Sequence, residues 1–332
     1  MTIINGIEID IDKLSINEIK LAIYNNEKID NKLHVITVIS NPCQYARRYI
    51  LAREFIKRME NEKDIILYVV ELAYNNQKFY VTEENNKNHL QLRTDTPLWH
   101  KENMINIGVA KLLPKNWKAM AWIDSDIEFE NINWASDVLK ILNGSKDIVQ
   151  LFSHCIDMDK DTNAMSIFPS FCYQFCKNHT YGGIGINMWH PGYGWACNRK
   201  TFERMGGLYE FGILGSGDHC MAFSFINNSL KCVNVDVSND YKQSIKDFEN
   251  KSKNLRLGYV PGIILHYYHG SKKNRQYSER WKILVKHNYS PLKHITKNSD
   301  GLLIPSESCP KELLSDILQY FFERNEDDMY LF

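Results

Sequence analysis

The chain has 332 residues, 44% hydrophobic and 12% aromatic, and its 40 Lys and Arg balance 40 Asp and Glu. That is enough for one large domain or two small ones with a sizeable core, and it excludes a disordered or fibrous chain. A formal charge of zero argues against a protein whose main task is to grip DNA or an anionic membrane, because that affinity comes from many positive charges. No apolar run approaches the roughly 18 to 20 residues of a membrane span. The start, Met1 to Asp10, has acids where a signal peptide has bases. These features lead us to expect a soluble, cytoplasmic protein. The eight Cys form no Cys-x-x-Cys pair, so reduced thiols are expected.

Residues 1–32 read as an N-terminal appendage, with a helix start at Ser15, where Glu18 stands three residues after the capping Ser. Leu33 to Ile39 is a buried-strand run, ended by Asn41-Pro42. A helix over about 44–60 follows, then a strand over Asp64 to Val70 and a shorter one over Phe79 to Thr82. A helix around 101–112 leads to the strand Ala119 to Ile123, a helix near 134–143 and a strand over Asp147 to Phe152. This alternation predicts an α/β fold with a mostly parallel sheet covered by helices on both faces. Ligands of such sheets bind beyond the carboxyl ends of the strands, where Asp124 to Asp126 lies.

Residues 153–195, rich in Gly and aromatics, suggest a long shaped loop region. Helices are predicted over Thr201 to Met205 and Asp218 to Ile226. Tyr259 to Tyr268 reads as a strand interrupted at Pro261-Gly262, before a basic helix at about 276–287. The last residues read as a surface tail with one amphipathic helix, Glu312 to Phe322.

Four groups carry chemistry. Asp124-Ser125-Asp126 follows a buried strand and offers two carboxylates for a divalent cation that could hold a diphosphate, although such turns are also common on surfaces. His266 and His269, three apart, could both reach a metal, or one could be buried on backbone and the other exposed. Imidazole with carboxylate suits Mn²⁺ or another first-row ion better than Mg²⁺. Gly215-Ser216-Gly217 delivers Asp218 to a helix start, as a general base, a helix cap or both, with His219 as the alternative base. In the helix before the acidic strand, Lys101 and Asn106 could face a nucleotide, or the helix could be an ordinary amphipathic one.

In order along the chain, these segments resemble GT-A fold glycosyltransferases of the β-1,4-galactosyltransferase type and related enzymes of large DNA viruses and phages. Trp99 to Gly108 is similar to that family's aromatic-x-[Arg/Lys]-x-x-x-x-Asn-x-Gly helix, and Asp126 matches its metal-binding Asp. Gly194 to Phe202 is similar to its Gly-rich segment, and Gly215 to Asp218 stands where its acceptor and base loop lies. His266 and His269 match two further metal ligands, and 271–280 matches the basic stretch behind them. In this chain the acidic run of the base loop is reduced to Asp218, followed by His219 and Cys220, and the loop Trp is missing.

The resemblance implies a single catalytic domain over 33–295, with a nucleotide-sugar half (33–150), an acceptor and metal half (151–295), and a tail at 296–332. It implies Mn²⁺, or Mg²⁺, on Asp126, His266 and His269, a nucleoside-diphosphate sugar (most naturally a UDP-sugar) as donor, and a glycan, glycoprotein or small-molecule acceptor. Asp124 would contact the ribose or the metal through water. Asn41 would lie by the uracil and ribose, and Asn106 would face the nucleotide. Lys101, Lys272, Arg275 and Arg280 would add positive charge at the diphosphate. Asp218 would deprotonate the acceptor hydroxyl for inverting displacement, with Gly217 and His219 beside it. Trp189, His190, Tyr193 and Trp195 are candidates for sugar stacking, weighed equally against core packing. Two other readings stand beside this one. One is a catalytically silent module that binds nucleotide sugar or glycan. The other is a transferase for a modified DNA base, which the zero charge weakens and the four Lys and two Arg of 272–286 keep open.

Overall fold

The computed structural model describes residues 2–4, 7–9, 16 and 31–328. β1 (Thr2–Ile4) and β2 (Ile7–Ile9) pair antiparallel. Apart from Ile16, the helix predicted from Ser15 lies outside the described residues.

The architecture grows from β3 (Leu33–Ser40), an almost wholly buried β-branched run, as expected of a strand covered on both faces. Its alternate side chains feed two cores. Leu33 and Val35 join Phe55, Ile56 and Met59 of α1 (Ala46–Glu60), while Ile36 joins Met104 and Ile105 of α2 (Lys101–Leu112). β3 pairs in parallel with β4 (Ile65–Tyr74) and β6 (Ala119–Ile123), and β4 with β5 (His89–Thr94). Gly108 lets α2 lie close on these strands, because a Cβ there would stand 2.9 Å from Val70 Cγ2.

Beyond β6 come β7 (Ile127–Phe129), α3 (Trp134–Leu142), β8 (Ile148–Gln150), the hairpin of β9 (His154–Met158) and β10 (Ala164–Pro169), and α4 (Phe171–Cys176). The second half adds β11 (Gly194–Asn198), α5 (Arg199–Met205), α6 (Gly217–Phe225), α7 (Asn239–Ser252), β12 (Leu257–Tyr259) and β13 (Ile263–His266). It closes with α8 (Arg280–Lys286), α9 (Pro291–His294), the hairpin of β14 (Ile295–Lys297) and β15 (Leu303–Pro305), and α10 (Lys311–Glu323).

The large sheet has the order β12-β8-β11-β6-β3-β4-β5. It is parallel except where β11 runs antiparallel to both neighbours. This is the expected mixed, mostly parallel sheet flanked by helices. A second sheet has the order β10-β9-β13-β7. Among the described residues no helix is long and apolar enough to cross a membrane.

Three expectations are corrected. Phe79 to Thr82 is a loop, because the buried Glu71 carboxylate of β4 accepts the backbone N–H groups of Tyr80 (2.7 Å), Val81 (3.0 Å) and Thr82 (2.8 Å), and the Thr82 hydroxyl (2.7 Å). Three successive donors aimed at one carboxylate need a turned backbone, which cannot also join a ladder. Residues 153–195 hold the β9–β10 hairpin and α4 as well as loop. The tail is not a surface tail: Leu313, Ile317, Tyr320 and Phe321 of α10 enter the larger core, and Glu326 is buried.

Removing the Glu71 carboxylate strands several buried donors at once. Glu71→Ala should lower unfolding free energy by about 3 kcal/mol in urea denaturation.

Candidate metal centre and cleft

Pro261-Gly262 carries the chain from one sheet to the other. Val260 N donates to Gln150 O at the large sheet, and Ser153 N donates to Gly262 O at 2.9 Å as the small sheet begins. The expected interrupted strand is thus two strands in two sheets. β13 then runs parallel to β9 and antiparallel to β7, with His266 in register with both Asp157 and Ile127. One step on, Tyr267 N donates to Asp126 O at 2.8 Å. The Asp124–Asp126 turn is fixed from its other side by Asp124 N donating to Tyr193 O at 2.7 Å, and Thr37 Oγ1 donates to Ile123 O at 2.9 Å.

These pairings gather Asp126, His266 and His269, whose potential ligand atoms all lie within 4.8 Å of one another. Asp126 Oδ2 is 2.9 Å from His269 Nε2 and 3.8 Å from His266 Nε2. Each imidazole has a carboxylate behind it. His266 Nδ1 is 2.6 Å from Asp157 Oδ1, and His269 Nδ1 is 3.3 Å from Glu326 Oε2. A carboxylate at Nδ1 keeps the proton there and leaves the Nε2 lone pair directed at Asp126. Asp126 Oδ1 and His266 Nε2 are buried without a hydrogen-bond partner, and such orphaned polar atoms fit a bound cation. Burial lowers His266, which keeps it neutral as a metal ligand must be.

A cavity of about 750 Å³ opens in front of this cluster. The start of α2 is fixed by His100, whose Nε2 bonds Leu303 O at 2.9 Å. Lys101 is thereby set at the cavity wall, ion-paired with Asp124. Burial opposes the charge on Lys101, yet Asp124, Asp218 and Glu102 together raise its affinity for the proton. Asp218 also lines the cavity. α6 begins at Gly217 with Ser216 as the flanking residue at φ 70°, so Asp218 is in the first turn and is not the cap. One of its oxygens accepts the His219 N–H at 2.8 Å. The other approaches Gly192, where a Cβ would come within 2.9 Å. Despite burial, Lys101, His219 and His190 keep Asp218 below its ordinary pKa, so it is an anion at neutral pH. Arg280 braces the loop before it, donating to Leu214 O at 3.3 Å and to Ser216 Oγ.

The structure brings Asn41, Lys101, Asp124, Asp126, Trp189, His190, Tyr193, Asp218, His219, His266, His269, Arg275 and Arg280 to this one cavity. Asn41 also staples its own loop, exchanging hydrogen bonds with the Tyr45 backbone. Tyr193 stacks between His190 and His266, at centroid distances of 4.4 and 4.6 Å.

Three expected residues are not among the lining. The Asn106 amide bonds Leu208 N and O and Glu210, which spends it on tying α2 to the 208–210 segment. Trp195 is 2% exposed and its indole N–H donates to Pro191 O, so it packs behind the cavity wall. Gly217 faces Glu102, where a Cβ would come within 2.4 Å, and its role is to let α6 approach α2.

Asp157, Glu326 and Glu102 were not foreseen. Asp157 shares a strand face with the buried Cys155, a period-two signal for an inward acid. Glu326 sits in a charged run that resembles solvated surface.

No protein-family model and no curated protein matches the chain. Among solved structures, it is similar to the catalytic domain of Drosophila β-1,4-galactosyltransferase 7 in complex with xylobiose, at 11% identity and TM-score 0.37, over 87% of this chain and 99% of that one. It is similar to glucosyl-3-phosphoglycerate synthase from Mycobacterium tuberculosis with Mn²⁺, UDP and phosphoglyceric acid, at 8% identity and TM-score 0.36, over 82% of each. It is also similar to 4-diphosphocytidyl-2C-methyl-D-erythritol synthase from Anaerococcus prevotii DSM 20548, at 11% and 0.35, over 71% of this chain and 89% of that one.

Burial pushes the Glu102 carboxyl from 4.5 up to about 7, with Lys101 opposing and Asp218 adding. Between these values the unfolded chain gives up the proton that the folded chain keeps, so stability falls as pH rises through this window and levels off above it. Relative to wild type, Glu102→Gln should gain on the order of 3 kcal/mol between pH 4 and pH 8 in urea denaturation.

Proposed function

We propose that the chain is a metal-dependent GT-A glycosyltransferase that moves a sugar from a nucleoside-diphosphate sugar, a UDP-sugar, to an acceptor hydroxyl with inversion. One observation carries this reading: the Asp126, His266 and His269 cluster and the Asp218 carboxylate share one cavity beyond the strand ends.

Asp126, His266 and His269 would hold the cation, and two imidazoles with one carboxylate suit Mn²⁺ better than Mg²⁺. Such an ion supplies Lewis-acid neutralisation of the leaving diphosphate. Arg275 and Lys101 add fixed positive charge at the cavity, which favours a diphosphate over an uncharged leaving group. The pocket beside Ser40 and Asn41 accommodates the nucleoside. Trp189 and His190, also in the cavity lining, are the rings available to the acceptor, while Tyr193 between His190 and His266 backs them.

Asp218 is an anion with one oxygen beside Gly192, which carries no side chain of its own there, and the His190 ring stands next to the same position. It takes the acceptor proton as the acceptor oxygen bonds the anomeric carbon and the bond from that carbon to the diphosphate oxygen breaks. Attack from the face opposite the leaving group inverts the configuration.

The test is nucleotide release from a panel of nucleotide sugars with an acceptor panel, with and without Mn²⁺. We expect Mn²⁺-dependent release from one donor, lost in Asp126→Ala together with Mn²⁺-dependent nucleotide binding. Asp218→Asn should keep nucleotide binding and lose about 10² to 10⁴ in kcat. An absence of both release and Mn²⁺-dependent nucleotide binding would falsify the reading.

A further inference from the structure

The segment after α10 folds back against the metal cluster. Glu326, 1% exposed, is held by two guanidinium groups. Arg48 Nη2 and Arg324 Nε donate to its Oε1 at 2.7 Å each, and Arg48 Nε donates to its Oε2. Among the described residues, His269 Nδ1 also faces that carboxylate, 3.3 Å from Oε2.

The neighbouring residues dictate this placement. Asp327 accepts the N–H groups of Ala46 and Arg47 at 2.8 and 2.9 Å, at the N-terminus of α1. Asp328 accepts from the Tyr268 hydroxyl at 3.0 Å and from Ser271 N at 3.2 Å, on either side of His269 in sequence. Gly270, at φ +88°, permits the close approach, since a Cβ there would stand 2.9 Å from Glu326 Cα. On the far side of the ring, Arg275 Nη2 is 2.7 Å from His269 Nε2, and a guanidinium only donates. The same Nε2 also lies 2.9 Å from Asp126 Oδ2, and the Arg275 donor together with the Glu326 acceptor at Nδ1 favours the tautomer with the lone pair on Nε2 and the proton on Nδ1.

We propose that Glu326 is a positioning residue for the metal centre: it fixes the tautomer and ring orientation of His269, so that the segment after α10 forms part of the cation site. This rests on the reading of Asp126, His266 and His269 as metal ligands. Asp157 does the same for His266 from within the small sheet. The two ligands therefore depend on carboxylates from unrelated parts of the chain.

The experiment is Mn²⁺ titration calorimetry on the full chain, comparing wild type with Glu326→Gln and with Asp316→Asn, which cuts a contact of α10 with Lys286 and His287 away from the site. Glu326→Gln should bind Mn²⁺ about 10- to 100-fold more weakly, and Asp316→Asn within twofold of wild type. Equal affinity of Glu326→Gln and wild type overturns the proposal and leaves the metal reading standing. A wild type that binds no Mn²⁺ overturns both. Should Glu326→Gln not fold, ¹⁵N NMR of the wild-type His269 ring without metal decides the matter. A proton on Nδ1 supports the proposal, and a proton on Nε2 overturns it.

Discussion

The pairing of β13 with two dissimilar partners is the constraint on which the site depends. Parallel pairing with β9 sets His266 against Asp157, and antiparallel pairing with β7 sets it against the end of the acidic turn. A slip of one residue along either ladder would turn His266 to the opposite face, because strand side chains alternate. Pro261-Gly262 removes that freedom by taking the chain out of the large sheet at one defined place. The large sheet positions Asp124 to Asp126, the small sheet positions His266, and the corner between them sets the distance.

Around this frame the charges are arranged by sign. On one wall Lys101 stands among Asp124, Asp218 and Glu102. On the other, Arg48, Arg275 and Arg324 surround Glu326 and His269. Buried charges survive only with such partners, and each wall is built from an excess of one sign held by the other. Asp218 remains ionised because its wall includes a cation. Glu102 in the same neighbourhood is instead pushed up to about 7, because burial outweighs the Lys101 ammonium and the Asp218 carboxylate adds to the rise.

Much of this was legible from residue order alone. β3 and β6 announce themselves by mostly apolar runs, and Asp126, Asp218, His266 and His269 by short spacings at strand and helix ends. What escaped depends on partners distant in sequence. Glu326 meets Arg48 across 278 residues and His269 across 57, and nothing in Arg324-Asn325-Glu326-Asp327-Asp328 distinguishes a buried carboxylate from a solvated one. Phe79 to Thr82 has strand-like composition, but a single buried acid outweighs that local preference. α7 was missed because its inward stripe includes Glu249 and Ser252 beside Tyr241, Ile245 and Phe248, which blurs the apolar period. Asn106 and Trp195 sit within recognisable segments, yet hydrogen bonds to Leu208 and Pro191 turn them to structural work.

The contact between the segment after α10 and the imidazole of His269 has a thermodynamic consequence. A ligand that binds only the arrangement with that segment in place stabilises the arrangement by mass action, and the reverse holds by the same amount. Cation binding and the docking of α10 would then be two readings of one equilibrium. Fraying of a helix well outside the cavity would appear as weaker ion affinity, and loss of the ion would appear as faster amide exchange along α10. The centre would thereby report on whether widely separated stretches of the chain have come together, because His269 would be a better ligand once they have.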